Sequence, residues 1–557
     1  MNIRFLPGQS DDPLQERRNA LAKLAAIAAA DDIAPPEPGM AVSYRSGGRT
    51  LVVGSSLQAP AWADQLSAAL DVTLLLLDNA ELGPRGYPVF LARTVAVAGW
   101  LGAFEARWQA PGQAVQQGKF DLVLDLSPSP LISTHQHPHG YYAPGVEEAD
   151  RRAAAAEIMD MTGDFDKPKY FAYKERLCAH SRNKLVGCNA CIEICSAKAI
   201  SSDGDRVKVN PYLCAGCGAC GTVCPTGAMS YAYPSAAHTG SRVKAALRAY
   251  AEAGGQAPVL LLHSAGGAPL IEAVAAGAAG GIPGRVIPLG LHHTASTGID
   301  LWLAALSYGG AGVTVLMTHD EAPQYAAALE TQMRIAQTVL DGLGYGGPHF
   351  QLLRVGSAGE LGAALQQAPR GETPAQAATW NVAQDKRNTL DYALEHLFRH
   401  ARQQPEAITL PAGAPFGAIA VNKASCSLCM ACVGACPSSA IMDTPNAPQL
   451  RFVEQNCVQC GLCANTCPEN AITLVPRMAF GETRKQTVVL NESQPFHCIR
   501  CNKAFGTTHM IEAMLGRLAG HSAFAGNLDR LRMCGDCRVI DMMQPEGEFA
   551  VPLRRPS

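Results

Sequence analysis

Charge, aromatic rings and long apolar runs are all scarce in this sequence. Charged residues make up 17% of the 557 and the formal net charge is −3, so there is no basic stripe of the kind that neutralises nucleic-acid phosphates or an anionic membrane. Nothing approaches the roughly twenty apolar residues a membrane helix needs. The nearest stretch, Leu270–Gly280, is short, rich in glycine and broken by Glu272, so no transmembrane segment is expected. The opening residues lack an apolar signal core, and Arg17-Arg18 leads into a charged amphipathic helix, which predicts a cytoplasmic chain. No G-x-G-x-x-G follows a strand with an acid about twenty residues on, so flavin or NAD(P) binding is unsupported. What is present excludes disorder: 48% hydrophobic residues and 53 glycines suit several packed α/β cores. The length predicts three to five domains.

The abundant residue is cysteine. Sixteen of the twenty fall into four runs: Cys178/Cys188/Cys191/Cys195, Cys214/Cys217/Cys220/Cys224, Cys426/Cys429/Cys432/Cys436 and Cys457/Cys460/Cys463/Cys467. The last three read C-x2-C-x2-C-x3-C-P. Three thiolates on a tight loop can grip three irons of a cubane, and the fourth, thrown clear, reaches a neighbouring one. Crossing in this way predicts four 4Fe–4S clusters. Their ligand sets are Cys178, Cys188, Cys191 and Cys224; Cys214, Cys217, Cys220 and Cys195; Cys426, Cys429, Cys432 and Cys467; and Cys457, Cys460, Cys463 and Cys436. The first set is irregular, because nine residues separate Cys178 from Cys188 and Ser196 replaces the proline after Cys195. A harmless insertion, a three-ligand 3Fe–4S site and a non-cysteine ligand such as His180 all remain open there. The tail pairs Cys498-x2-Cys501 and Cys534-x2-Cys537 make a four-sulfur cage suited to structural zinc, with a fifth Fe–S cluster as competitor. His135, His137 and His139 have metal-like content, but Pro138 argues for a solvated loop. His292-His293 stand between an expected strand and helix, where α/β domains bind ligands, although a structural pair is the plainer reading.

Hydrophobic pattern divides the rest. Residues 1–40 form a helical arm (Pro13–Ala30), and 41–150 an α/β module with strands at Thr50–Gly54, Val72–Leu77, Thr94–Val97 and Phe120–Leu126. The first cysteine unit spans 165–235. Residues 240–370, free of cysteine, alternate strands and helices as a parallel sheet covered on both faces requires. A helical linker covers 375–410, the second cysteine unit 411–480 and the metal-binding tail 481–557. The fold class expected is therefore mixed α+β and α/β, multidomain, with two ferredoxin-like units, two small parallel-sheet modules and a zinc-ribbon-like tail.

The paired runs resemble bacterial dicluster 4Fe–4S ferredoxins over about a quarter of the chain. More weakly, 257–355 (PVLLLH…GGIPGRVIPLG…GVTVLMTHDEAPQY…FQLLRV) is similar to the small iron–sulfur subunits linking hydrogenase to heterodisulfide reductase. It lacks their cysteines, so the resemblance implies a docking role without the 2Fe–2S site. The whole implies an electron-transfer subunit relaying single electrons to or from a partner redox enzyme, of formate-dehydrogenase- or heterodisulfide-reductase-like type. A catalytic oxidoreductase holding flavin or NAD(P), or a metalloenzyme assembly factor, is the alternative. The relay needs no bond-making residue.

Overall fold

A computed structural model gives the fold; it describes residues 12–78, 82–110, 112–277, 280–445, 447–520 and 528–543, excepting the side chain of His509. Part of the apolar stretch Leu270–Gly280 and parts of the tail at 481–557 lie outside these residues. The protein is a mixed α/β chain that divides into two bodies. One comprises the residues up to 180 together with 189–405, and the other 181–188 together with 406–557.

Two parallel sheets organise the first body. In the N-terminal one the strands run Val89–Leu91, Asp71–Leu76, Arg49–Gly54, Leu122–Asp125 and Tyr141–Tyr142 in spatial order, all parallel. Thr94–Ala98 does not join it. That strand pairs antiparallel with Phe104–Gln109, which pairs with Gln116–Phe120. The alternation Phe104, Ala106, Trp108 explains the separation: these side chains point inward and cover the sheet face carrying Leu51, Val53 and Leu75. Helices Ala59–Leu66 and Glu148–Asp160 cover the other face.

The second sheet orders Val286–Gly290, Val259–His263, Gly312–Met317 and Phe350–Arg354, again all parallel. Its centre is buried on both faces, so the strands read as continuous apolar runs. Leu260 and Leu262 face one core, with helices Pro13–Asp31, Ala236–Glu252, Ile299–Ser307 and Pro323–Gly342. Val259 and Leu261 face the other, with Ala268–Ala275 and Ala358–Gln366. The arm Pro13–Asp31 is held by polar clasps: Lys23 Nζ donates to the carbonyls of Ile282 (2.9 Å) and Pro283 (2.7 Å), and Glu16 accepts from the Gly284 amide.

Apart from residues 181–188, the first cysteine unit lies in this body as two antiparallel pairs, Phe171–Tyr173 with Met229–Tyr231 and Ile200–Asp203 with Arg206–Val209. The second body repeats the plan. Gly417–Val421 pairs with Ile472–Ala479, and Ile441–Thr444 with Ala447–Val453. It also contains the tight hairpin Ser181–Arg182/Leu185–Val186, whose Val186 carbonyl accepts from Asn465 Nδ2 at 2.9 Å. Among the described residues no helix is long and apolar enough to cross a membrane.

Candidate metal centres

Three of the four cysteine runs share one backbone conformation. The residues flanking the second cysteine are left-handed: Gly216 and Gly218 (φ 78° and 77°), Leu428 and Met430 (54° and 60°), Gln459 and Gly461 (54° and 81°). Such steps turn successive N–H groups into a concave nest that receives anionic sulfur. Met430 shows that a side chain is tolerated at this left-handed position, but at Gly218 an added Cβ would lie 2.8 Å from Ser296 Cα, so glycine is needed there. After the nest each run makes a single short helix, and the fourth cysteine leaves it in extended conformation. An amide a few residues on then donates to the fourth sulfur: Ala199 to Cys195 (3.2 Å), Met229 to Cys224 (3.4 Å), Ala440 to Cys436 (3.3 Å) and Ala471 to Cys467 (3.3 Å).

The fourth cysteines cross. Cys467 lines one cavity with Cys426, Cys429 and Cys432. Cys195 lines another with Cys214, Cys217 and Cys220. In the second body Cys436 and Cys457 both press on the thiols of Cys460 and Cys463. Burial pushes Cys217 and Cys460 up to about 11, and Cys432 and Cys463 up to about 12. Bare thiolates would be unstable in these apolar cavities, whereas a metal's positive charge reverses that penalty. The donor set and the inward amides therefore fit iron–sulfur cubanes.

The first run is different. Asn189 stands where the others are left-handed but has φ −115°, so the amide nest is absent. Cys178 is nevertheless delivered like an ordinary first ligand. It follows the single turn Glu175–Leu177, its amide bonded to Glu175 O at 3.1 Å, just as Cys457 follows Glu454–Asn456 with its amide on Glu454 O at 3.0 Å. Cys178, Cys191 and Cys224 share one apolar cluster, while Cys188 ends the hairpin segment of the other body. His180 turns its Nε2 to Ser202 Oγ at 2.8 Å.

Comparison with known families meets this geometry. A model described as a 4Fe-4S dicluster domain matches residues 425–472, and a second of the same description matches 186–228 and 456–504. Both regions are dicluster 4Fe–4S ferredoxin domains. The chain is also 45% identical over 40 residues to hydrogenase-4 component A of Escherichia coli (strain K12), covering 7% of this chain and 20% of that protein. The match to the first ferredoxin domain begins after Cys178, so the displaced cysteine lies outside the shared pattern.

Three side chains beside the first ferredoxin domain were not legible in the spacing. Tyr325, at the start of Pro323–Gly342, lies 2.5 Å from Ser196 Oγ, which donates to Gln136 Oε1 at 2.7 Å. Lys167, buried, donates to the carbonyls of Cys214 (2.8 Å) and Tyr212 (3.0 Å), and burial pulls its ammonium down to about 8. Lys386 donates to the carbonyls of Gly221 (3.3 Å), Thr222 and Cys224 (3.2 Å), with Asp300 as counter-charge. Ser196 was visible as a departure from proline, but its partners are 60 and 129 residues away.

The tail brings its four cysteines together. The sulfurs of Cys498, Cys501, Cys534 and Cys537 all lie within 4.8 Å of one another, with Cys501 and Cys534 at 3.6 Å. Amides of Arg500 (3.4 Å) and Cys534 (3.3 Å) donate to Cys498 Sγ. Although burial opposes it, these and the Cys501 amide bring the Cys498 thiol down to about 6. The family match over 456–504 takes in Cys498 and Cys501, yet the fold gathers them with Cys534 and Cys537.

The histidines of the 135–139 loop separate. His135 Nε2 meets Asp320 O at 2.9 Å, His137 packs edge-on to Tyr141 and His139 edge-on to Tyr44, so they form no common site. His292 stacks on Tyr170, and His293, pulled down to about 4 by burial, packs against Tyr325 near Glu321.

Proposed function

We propose that this protein is an electron-relay subunit. Four 4Fe–4S clusters, held by the crossed ligand sets given above, take up and release single electrons and exchange them with a partner redox enzyme. The observation that carries this reading is the crossing itself: Cys467 and Cys195 each line a cavity with the first three cysteines of the sister run. When bound, a cubane supplies a one-electron acceptor of tunable potential. The chain's own part is to fix the sulfurs, exclude water and aim amide and hydroxyl donors at them. Cys178 is read as the fourth ligand of its cluster on the strength of the turn it shares with Cys457. The partner is read as a hydrogenase- or formate-dehydrogenase-like complex, which the short likeness to hydrogenase-4 component A favours. The cysteine-free α/β modules and the tail, read as a zinc site, orient the relay against it.

The test is anaerobic purification of the full chain with iron, acid-labile sulfide and flavin determined together. About sixteen irons and sixteen sulfides per chain, reducible in one-electron steps, support the relay. A colourless protein, or one with stoichiometric flavin that bleaches with NAD(P)H, overturns it.

A further inference from the structure

The sixteen ferredoxin cysteines are unequal in their access to solvent. All lie among the described residues, and of them Cys429 alone is exposed. Its counterparts in the other two regular runs are covered. Beside Cys217 the ring of Tyr170 lies over Gly216 and Ser296 lies over Gly218, where an added Cβ would come within 2.8 Å and 2.6 Å of them. Beside Cys460, Gln459 reaches back to the Ala418 carbonyl at 2.9 Å and to Cys457 Sγ at 3.3 Å. Around Cys429 the matching neighbours are apolar and turn inward: Leu428 belongs to the buried core of the second body and Met430 packs against it. With both flanks turned in, the ligand between them faces out. The edges of this opening are fixed by the tail. Thr507 ends the strand Ala504–Thr507 of the cage hairpin and donates its Oγ1 to the Ser427 carbonyl at 3.1 Å. Arg517, in the last turn of Thr508–Leu518, pairs with Glu469. Ser427 and Glu469 both line the cavity of Cys426, Cys429, Cys432 and Cys467.

We propose that the cluster held by Cys426, Cys429, Cys432 and Cys467 is the terminal of the relay, where electrons enter and leave the chain through the exposed Cys429 sulfur, exchanged with a one-electron carrier in contact with it. The inference rests on the electron-relay reading. Transfer between redox centres slows steeply as the gap between them widens, and a ligand thiolate carries part of the cluster's electron density out to its sulfur. A carrier touching Cys429 stands one sulfur–iron bond from the cube, whereas the other fifteen sulfurs are partly or wholly covered. One electron passes from the reduced carrier to the oxidised cluster, or back from the reduced cluster to the oxidised carrier, and no bond is made or broken.

The experiment mixes the full, oxidised anaerobic chain with reduced methyl viologen, a small one-electron carrier, in a stopped-flow and reads the second-order rate constant of viologen oxidation. Cys432→Ala and Cys220→Ala each remove one cluster and leave about twelve irons. In Cys432→Ala the rate constant falls about tenfold, and in Cys220→Ala it stays near that of wild type. If Cys432→Ala loses more than about four irons, EPR of chains with all clusters in place carries the test. The component whose g values move in Cys429→Ser is then the one whose relaxation a dissolved dysprosium chelate enhances most in wild type. Equal rates in the two alanine variants, a slower rate in Cys220→Ala, or a different component most enhanced overturns the proposal while leaving the relay standing. A wild-type chain that takes no electron from the viologen overturns the relay and the proposal together.

Discussion

The tail offers the sharpest quantitative test. Zinc–sulfur bonds of about 2.3 Å at tetrahedral angles put ligand sulfurs about 3.8 Å apart. In a cubane each thiolate binds a different iron, so the width of the cube is added to that separation. The four tail sulfurs, all within 4.8 Å and one pair at 3.6 Å, have the dimensions of a cage for one ion. Among the described residues the apolar core at the cage is small: Cys498, Cys534 and Cys537, with Phe505 and Met533 packed against it. Structural zinc in small sites contributes about 10–16 kcal/mol of apparent binding free energy, more than such a core can replace. Replacing Cys537 with Ala should therefore abolish one zinc per chain and leave iron at about sixteen. It should also expose the hairpin Pro495–His497/Ala504–Thr507 to amide exchange. Elemental analysis and zinc X-ray absorption, with a single sulfur shell near about 2.3 Å, provide the measurement. Zinc near zero with about four irons lost in the variant would refute the one-ion geometry and install a fifth cluster.

Other perturbations follow from the same structure. Cys457→Ala should remove about four irons per chain, and an unchanged iron count would dissociate that residue from its cluster. Cys178→Ala should turn one cubane into a 3Fe form with an EPR signal in the oxidised state; an unaltered spectrum would exclude Cys178 as a ligand. Gly218→Ala forces a side chain into a left-handed position against Ser296, and should cost the Cys217 cluster as read by iron content and visible absorbance. His293 has a folded pKa of about 4 against an ordinary 6.5, so the unfolded chain binds the extra proton first. Its contribution to stability is complete above pH 6.5 and is lost as pH falls toward 4, by about 3 kcal/mol at most. Amide exchange in Gly312–Met317 at pH 7 and pH 5 should show this acid sensitivity, and His293→Asn should flatten it.

The sequence was most legible where chemistry imposes fixed spacing or burial imposes period. The ligand loops could be read from cysteine intervals, because a cubane tolerates few. Within the alternation read over 240–370, the helix Pro323–Gly342 and the strand Gly312–Met317 are each carried by an apolar pattern of their own. The antiparallel meander was not seen: Phe104–Gln109 alternates, but Arg107 and Glu105 interrupt its apolar count, and Thr94–Val97 looks alike in either kind of sheet. Ala41–Ser46 was missed because its partner, Gly163–Pro168, lies across the whole module. Tyr325, Lys167 and Lys386 carry no local signal at all. Each bonds to a hydroxyl or a carbonyl in a distant segment, and only the fold makes them neighbours of the ligand loops.

The clasp of the arm has a consequence for how the chain is made. Lys23 is separated from its acceptors Ile282 and Pro283 by 259 and 260 residues. At ribosomal rates of about 5–20 residues per second, roughly 13–52 s pass between emergence of the helix and of its seat. Until Ala236–Glu252 emerges, the faces bearing Ala22, Ala26 and Ala30 have nothing of their own to cover them. A shortened chain missing this helix would thus uncover the inserted sheet's flank, and its defect would be insolubility of nascent protein before any fault in electron transfer.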